Sequence, residues 1–274
     1  MFGFNFLHKV KVVKMRRGWL TNPARRERRD RAWTLTDSQV MGLIKQIDVL
    51  NEYTKLEPEF DKLIRCRDKA LIALGWTFFK RAKEILKIKL GDVYYNDSEL
   101  NVTFKVKKKR KGIKECPFCG ERNGKNAKYC RSCGANIQAV EVIYIGEIIV
   151  VTKRKSMAFP FCPIFVEWIK KLEELNCTPE CYVFPPFHYA SRSFLWNKHL
   201  TVQRFDQILQ RLDSTLSSHM FRYGHTEKLL RSGYTPFDLK EIGDWSSPIM
   251  PTIYAERKGL TPSQTRFMKD IRTV

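Results

Sequence analysis

Two CxxCG knuckles constrain the folding of this chain more than any other feature. Cys116-Pro-Phe-Cys119-Gly and Cys130-Arg-Ser-Cys133-Gly are separated by ten residues. A CxxC turn delivers two sulfurs to one ion, the glycine after it admits a tight backbone, and four thiolates complete the tetrahedral shell that Zn²⁺ prefers. The expectation is a zinc ribbon over residues 113–136, its metal structural because the closed shell leaves no position for water. So short a segment depends on that metal to fold. Redox or disulfide pairs are the competing reading, and this spacing in a chain without an export signal favours metal. Of the other cysteines, Cys66 and Cys162 are expected in the core. Cys177 and Cys181 flank a Thr-Pro-Glu turn as thiols, or as a disulfide in a thermophile.

The second constraint is charge. A formal net charge of +21 far exceeds what solubility needs and points to a nucleic acid or an anionic membrane. No apolar stretch approaches the length of a membrane span, and the first residues lack a signal core and a cleavage site. The expectations are therefore a nucleic-acid partner, no membrane, and a cytoplasmic location. Basic residues crowd a terminal arm (1–33), which is either a solvated tail or a phosphate contact. They also surround the ribbon, as Lys107, Lys108, Lys109, Arg110, Lys111, Lys114, Arg122, Lys125, Lys128 and Arg131, which favours DNA over protein as the ribbon's partner.

Hydrophobic residues make up 43% of the chain, enough for a real core. Thr36 and Gln39 form a capping box ahead of a helix running to residue 50. Helical spacing continues over 58–78 and 82–88, followed by strand-like runs at 93–95, 100–106, 140–151 and 157–161. Helices are then expected over 164–175, 202–212, 219–232, 237–242 and 249–256, with a last one after Thr261-Pro262. The fold class is α+β: mostly helical, with a small antiparallel β-sheet.

His219 and Arg222 lie at i and i+3 of one predicted helix and so share a face. Gly243-Asp-Trp245 follows, and Tyr254 comes nine residues after the tryptophan. Upstream, Arg81 precedes Glu84 by three residues after a long helix. This order of motifs over residues 34 to 256 resembles the tyrosine recombinase (phage integrase) family, and in particular the archaeal-type integrases that carry an inserted zinc ribbon.

The resemblance implies a catalytic domain over 34–274, with the ribbon inserted in its β-hairpin. It implies site-specific cleavage and rejoining of double-stranded DNA through a 3′-phosphotyrosine on Tyr254. Arg81 and Arg222 become the phosphate clamp, His219 a donor or proton shuttle, and Trp245 a buttress acting through its indole N–H. The family's lysine donor aligns best with Lys108, while Lys107, Lys153 and Lys155 flank the same hairpin. Lys107, Lys109, Arg110, Lys111, Lys153 and Lys155 are expected to contact DNA. The chemistry needs no ATP and no catalytic metal. A homotetramer on two duplexes is implied. So is an accessory protein or separate segment supplying the core-binding half of the clamp, unless the chain is a minimal recombinase. Phe79 and Lys80 stand where the family often has glycine, Asp244 replaces another glycine and could weaken the phosphate site, and Tyr223 replaces a common histidine. The rival readings are an inactive DNA-binding protein on the same fold and a topoisomerase-like strand-cleaving enzyme.

Overall fold

In the computed structural model, which describes residues 35–257 apart from 52, 108–110, 146, 147 and 246, the Thr36 capping box starts the first helix. The Thr36 side chain accepts from the Gln39 N–H, and the Gln39 side chain accepts from the Thr36 N–H at 2.8 Å. Helix α1 (Asp37–Val49) lays the stripe Val40, Ile44 and Ile47 against α2 (Pro58–Phe78). Pro58 opens α2 where a missing N–H costs no hydrogen bond. All of residues 70–78 are buried. A helix apolar on every side belongs at the centre of a domain, and α2 packs there against α1, α4 (Cys162–Glu174) and α6 (Ser218–Arg231).

After α2 the chain turns through α3 (Ala82–Ile85) into an antiparallel sheet. Its strands are β1 (Val93–Tyr95), β2 (Glu99–Lys107) and β6 (Ile148–Ser156), in the order β1-β2-β6. Leu100, Val102, Phe104 and Val106 are buried, while the residues between them face outward, the period-two signature that marked the strand in the sequence. β2 and β6 stay in register from Glu99↔Ser156 to Lys107↔Ile148. Between these two strands the chain forms a separate three-stranded sheet of β3 (Lys111–Glu115), β4 (Arg122–Gly124) and β5 (Ile143–Ile145), ordered β4-β3-β5. This sheet has its own small core of Cys116, Cys130 and Ile137.

The run expected as one strand over 140–151 is thus divided between two sheets. The strand expected over 157–161 is absent: β6 ends at Ser156, the Phe159 N–H returns to the Ser156 carbonyl at 3.1 Å, and the turn buries Phe161 at the start of α4. The helix expected over 82–88 is shorter, because the backbone leaves it for a 3-10 turn at Leu90–Asp92. A two-residue hairpin, β7 (Phe187–His188) with β8 (Ser193–Phe194), was not expected. Helices α5 (Val202–Leu212), α6, α7 (Pro236–Ile242) and α8 (Ile249–Arg257) complete the α+β architecture near their expected positions. The basic arm and the helix after Thr261-Pro262 lie outside the described residues. Among the described residues no helix is long and apolar enough to cross a membrane.

Candidate functional site

Two sharp corners of backbone frame the site. Phe79, just past α2, has φ 38°, and Asp244, just past α7, has φ 51°. This left-handed region is costly for a bulky residue and tolerable for an aspartate. At Phe79 the surroundings compensate: its ring stacks on His225 at 4.4 Å and 11°. His225 is buried and held neutral, its pKa pushed down to about 3 by burial and then by Lys155 and Lys228. The corners together hold Arg222, which is only 3% exposed. Its Nη1 donates to the Phe79 carbonyl at 3.2 Å and its Nη2 to the Gly243 carbonyl at 2.7 Å. The Trp245 ring covers the guanidinium at 3.9 Å, so the tryptophan meets Arg222 with its π face. Burial, aided by Arg81 and opposed by Glu84, lowers the Arg222 pKa to about 10, which leaves a cation at neutral pH.

Gly243 makes this stacking possible. A Cβ there would run into the six-membered ring of Trp245. Gly243→Ala is therefore expected to push the indole off Arg222 and to destabilise the fold by about 1–3 kcal/mol, the usual cost of overpacking. Denaturant unfolding followed by tryptophan fluorescence checks this, and an unchanged midpoint and spectrum would contradict the packing.

Arg81 caps α3 and reaches outward, its side chain 43% exposed. Buried Glu84 orients it, accepting from Arg81 Nη1 at 2.8 Å and from the Arg81 backbone N–H at 3.1 Å. His219, one turn before Arg222 on α6, stays open to solvent on one side. Burial, then Arg222 and Arg81, push its pKa below the ordinary value, with Asp206 opposing, so the imidazole is neutral at pH 7. Its ring meets Tyr223 edge-on at 4.4 Å, and Tyr223 meets Tyr254 edge-on at 4.9 Å. Tyr254, on α8, is 4% exposed and near enough to bear on the charge of Arg222. Arg81, His219, Arg222, Trp245 and Tyr254 are thus brought together by three helices and one turn.

The lysines divide. Lys153, inward on β6, donates to the Ile242 carbonyl at 3.2 Å and lies 3.4 Å from Asp244. Lys155, two residues on, sits over the Phe159 ring at 4.4 Å and bears on His225. Lys107 and Lys111 end β2 and begin β3, while Lys108, Lys109 and Arg110 lie outside the described residues. Sequence reasoning missed Lys80. Its buried ammonium is ion-paired with Asp244, so the carboxylate feared as an intruder is balanced by two lysines. Burial, then Lys153, lower the Lys80 pKa to about 7, with Glu84 opposing. The available signal was that Lys80 and Asp244 both depart from the family pattern.

The second site is the cysteine cluster. All four sulfurs of Cys116, Cys119, Cys130 and Cys133 lie within 4.8 Å of one another, positioned to hold a metal ion. Cys116 and Cys133 are 3.6 Å apart, as are Cys119 and Cys130. Thiolates about 2.3 Å from a tetrahedral zinc would be about 3.8 Å apart, so the residues fit that ion. The two knuckles repeat one geometry: Gly120 and Gly134 have φ 71° and 72°, and each donates back to the first cysteine of its knuckle at 2.8 and 3.0 Å. The backbone N–H groups of Cys133 and Ser132 and the Asn123 amide help lower the Cys130 pKa to about 6.

The basic surround of the ribbon is smaller than the sequence suggested. Lys114 turns inward to the carbonyls of Ile137 and Gln138 at 2.9 and 2.8 Å, and Arg131 pairs with Glu121. Arg122, Lys125 and Lys128 remain exposed.

No protein-family model matches the sequence, and no curated protein does either. Among solved structures, the XerH site-specific recombinase bound to difH substrate in a pre-cleavage complex is 13% identical with a TM-score of 0.50, over 81% of this chain and 50% of that one. XerH in a post-cleavage complex with a palindromic difH substrate is 12% identical with a TM-score of 0.47, over 88% of this chain and 52% of that one. The chain spans about half the length of the recombinase it matches. At this identity the likeness is one of fold. The chain shares its α+β fold with a site-specific recombinase over 81% of its length.

Proposed function

We propose that this protein is a site-specific DNA recombinase that cleaves and rejoins strands through a 3′-phosphotyrosine intermediate, with Tyr254 as the nucleophile. One observation carries the reading: Arg81 and Tyr254 both lie near enough to Arg222 to bear on its charge, and edge-on ring contacts link His219 through Tyr223 to Tyr254, in a fold shared with a site-specific recombinase. Double-stranded DNA is the substrate, in keeping with a net charge of +21.

Attack on a phosphodiester concentrates negative charge on the non-bridging oxygens. Arg81, which faces outward, and Arg222, whose fork is held from behind, neutralise it. Removing one such preorganised donor costs about a hundred- to a thousand-fold in rate. A phenol has an unperturbed pKa of about 10 and must lose its proton to attack. Neutral His219 accepts that proton. The Tyr254 oxygen bonds to phosphorus, the bond from phosphorus to the 5′-oxygen breaks, and a lysine protonates the leaving oxygen. Lys108 is the donor that strand alignment favours, and Lys153 is the lysine held against Ile242 and Asp244, in the turn that also holds Arg222. Rejoining reverses these steps and conserves the bond energy, so neither ATP nor a catalytic metal is called for.

The four cysteines would hold Zn²⁺ as a structural ion. Lys107, Lys109, Arg110 and Lys111, with the exposed Arg122, Lys125 and Lys128, would meet DNA phosphates near the ribbon. Four protomers on two duplexes, with the other half of the clamp supplied by an accessory protein or further segment, complete the proposal.

The test is to trap the protein on a library of nicked duplexes, isolate the detergent-resistant adduct, sequence its DNA and map the attached peptide. A phosphotyrosine at Tyr254 is expected. Absence of any adduct would leave only the inactive DNA-binding reading. With a pair of the recovered sites, exchange of flanking sequence is expected, and relaxation without exchange would mean a topoisomerase-like enzyme instead.

A further inference from the structure

Four consecutive residues hold three of the site's cations. In the turn 242–245, the Ile242 carbonyl accepts from Lys153 at 3.2 Å and the Gly243 carbonyl accepts from Arg222 at 2.7 Å. Asp244 pairs with Lys153 at 3.4 Å and with Lys80, and Trp245 covers Arg222 at 3.9 Å. The charges of Lys80, Asp244 and Lys153 run outward from the interior: the Lys80 side chain is 1% exposed, Asp244 20% and Lys153 25%. Resting on the recombinase reading above, we infer that Asp244, anchored by Lys80, is a positioning residue that holds Lys153 at the pocket as the proton donor to the leaving 5′-oxygen.

Three features support the assignment. A glycine would meet the left-handed backbone at this position without strain, so what the aspartate adds is its pairing with two lysines. Lys80 is too deeply buried to reach DNA, so its ion pair with Asp244 serves to fix the carboxylate rather than to bind the substrate. Burial also lowers the Lys153 pKa, with Glu241 opposing, which makes its ammonium a readier donor. In the step itself, the Tyr254 oxygen attacks phosphorus and the bond to the 5′-oxygen breaks with its electron pair. A proton passes from Lys153 Nζ to that oxygen, and the resulting amine recovers a proton from solvent or from the 5′-hydroxyl on rejoining.

The experiment compares cleavage rates on a nicked duplex with an ordinary 5′-oxygen leaving group and on one with sulfur at that bridging position, since a thiolate departs without a proton. On the oxygen substrate Lys153→Ala is expected to be about a hundred-fold slower, within the usual range for general acid catalysis, and Asp244→Asn about ten-fold slower. On the sulfur substrate both are expected to approach the wild-type rate, a rescue that damage to the fold would not produce. The double variant Asp244→Asn with Lys153→Ala is expected to be no slower than Lys153→Ala. Asparagine tolerates the left-handed backbone, and the pair Asp244→Asn with Lys80→Met removes the buried charge that Asp244→Asn would orphan. That pair is expected to behave like Asp244→Asn alone. Asp244→Asn cutting the oxygen substrate at the wild-type rate, or remaining equally slow on both substrates, overturns the assignment. So does Lys153→Ala without a defect. A wild-type chain that forms no adduct on either substrate removes the recombinase reading itself, and this role with it.

Discussion

Tyr254→Phe is expected to abolish the covalent protein–DNA adduct while leaving DNA binding within a few-fold of the unmodified chain. Only one oxygen is lost: the phenyl ring keeps its edge-on contact with Tyr223 at 4.9 Å, so α8 stays packed on α6. Without the hydroxyl no phosphotyrosine can form, and the loss is total rather than fractional. The control is Tyr223→Phe. Tyr223 lies between His219 and Tyr254 and is the more open of the two phenols, which makes it the obvious rival nucleophile. Its replacement is expected to preserve the adduct. Denaturing gels with end-labelled nicked duplex decide between them, and an adduct that survives Tyr254→Phe but disappears in Tyr223→Phe would reassign the chemistry to the neighbouring residue.

Stripping metal from the cysteine cluster, or replacing Cys130 by Ser, is expected to unfold the ribbon and spare the rest. The hydrophobic core of the ribbon is Cys116, Cys130 and Ile137, with Ala127, Ala135 and Val140 packed against them, and two of those core groups are among the four cysteines positioned to hold the metal. Structural zinc in peptides of this size is worth about 10–16 kcal/mol at neutral pH, more than so small a core can replace. Hydrogen exchange should therefore show the amides of β3 and β4 losing protection on chelation, while those of α2 and of the β2–β6 ladder remain protected. Metal analysis should return one zinc per chain. Protection in β3 that ignores chelation, or a metal content far below one, would refute the structural role.

The helices were legible in the sequence because their cues are local. The Thr36 box, the proline at the start of α2 and the long apolar stretch of that helix each act within a few residues. The same holds for the glycines after each CxxC, whose left-handed backbone can be foreseen from the knuckle alone. Less legible was the run 140–151, since alternation reports that a strand exists and not which partner it takes, and here β5 and β6 go to different sheets. Lys114 illustrates a related limit: a lysine in a basic run reads as solvated, and only the fold reveals two backbone carbonyls waiting for its ammonium. Arg81, His219, Arg222, Trp245 and Tyr254 could be named as candidates from motif spacing. The pairing of Lys80 with Asp244 could not, because the two lie far apart in the chain and each, taken alone, looks like a departure from a glycine.

The ladder between β2 and β6 also works as a ruler. Lys153 stands opposite Val102, five rungs inward from the last pair, Lys107↔Ile148. The number of residues in the ribbon can change without moving it, since everything beyond that last pair is carried outside the ladder. One residue added or removed between Ile148 and Lys153 is different: with a side-chain period of two, it would swing the ammonium to the outer face of the sheet. Length variation is thus free on one side of a single rung and forbidden on the other, so a graft of another small domain at this hairpin has a defined place to be joined.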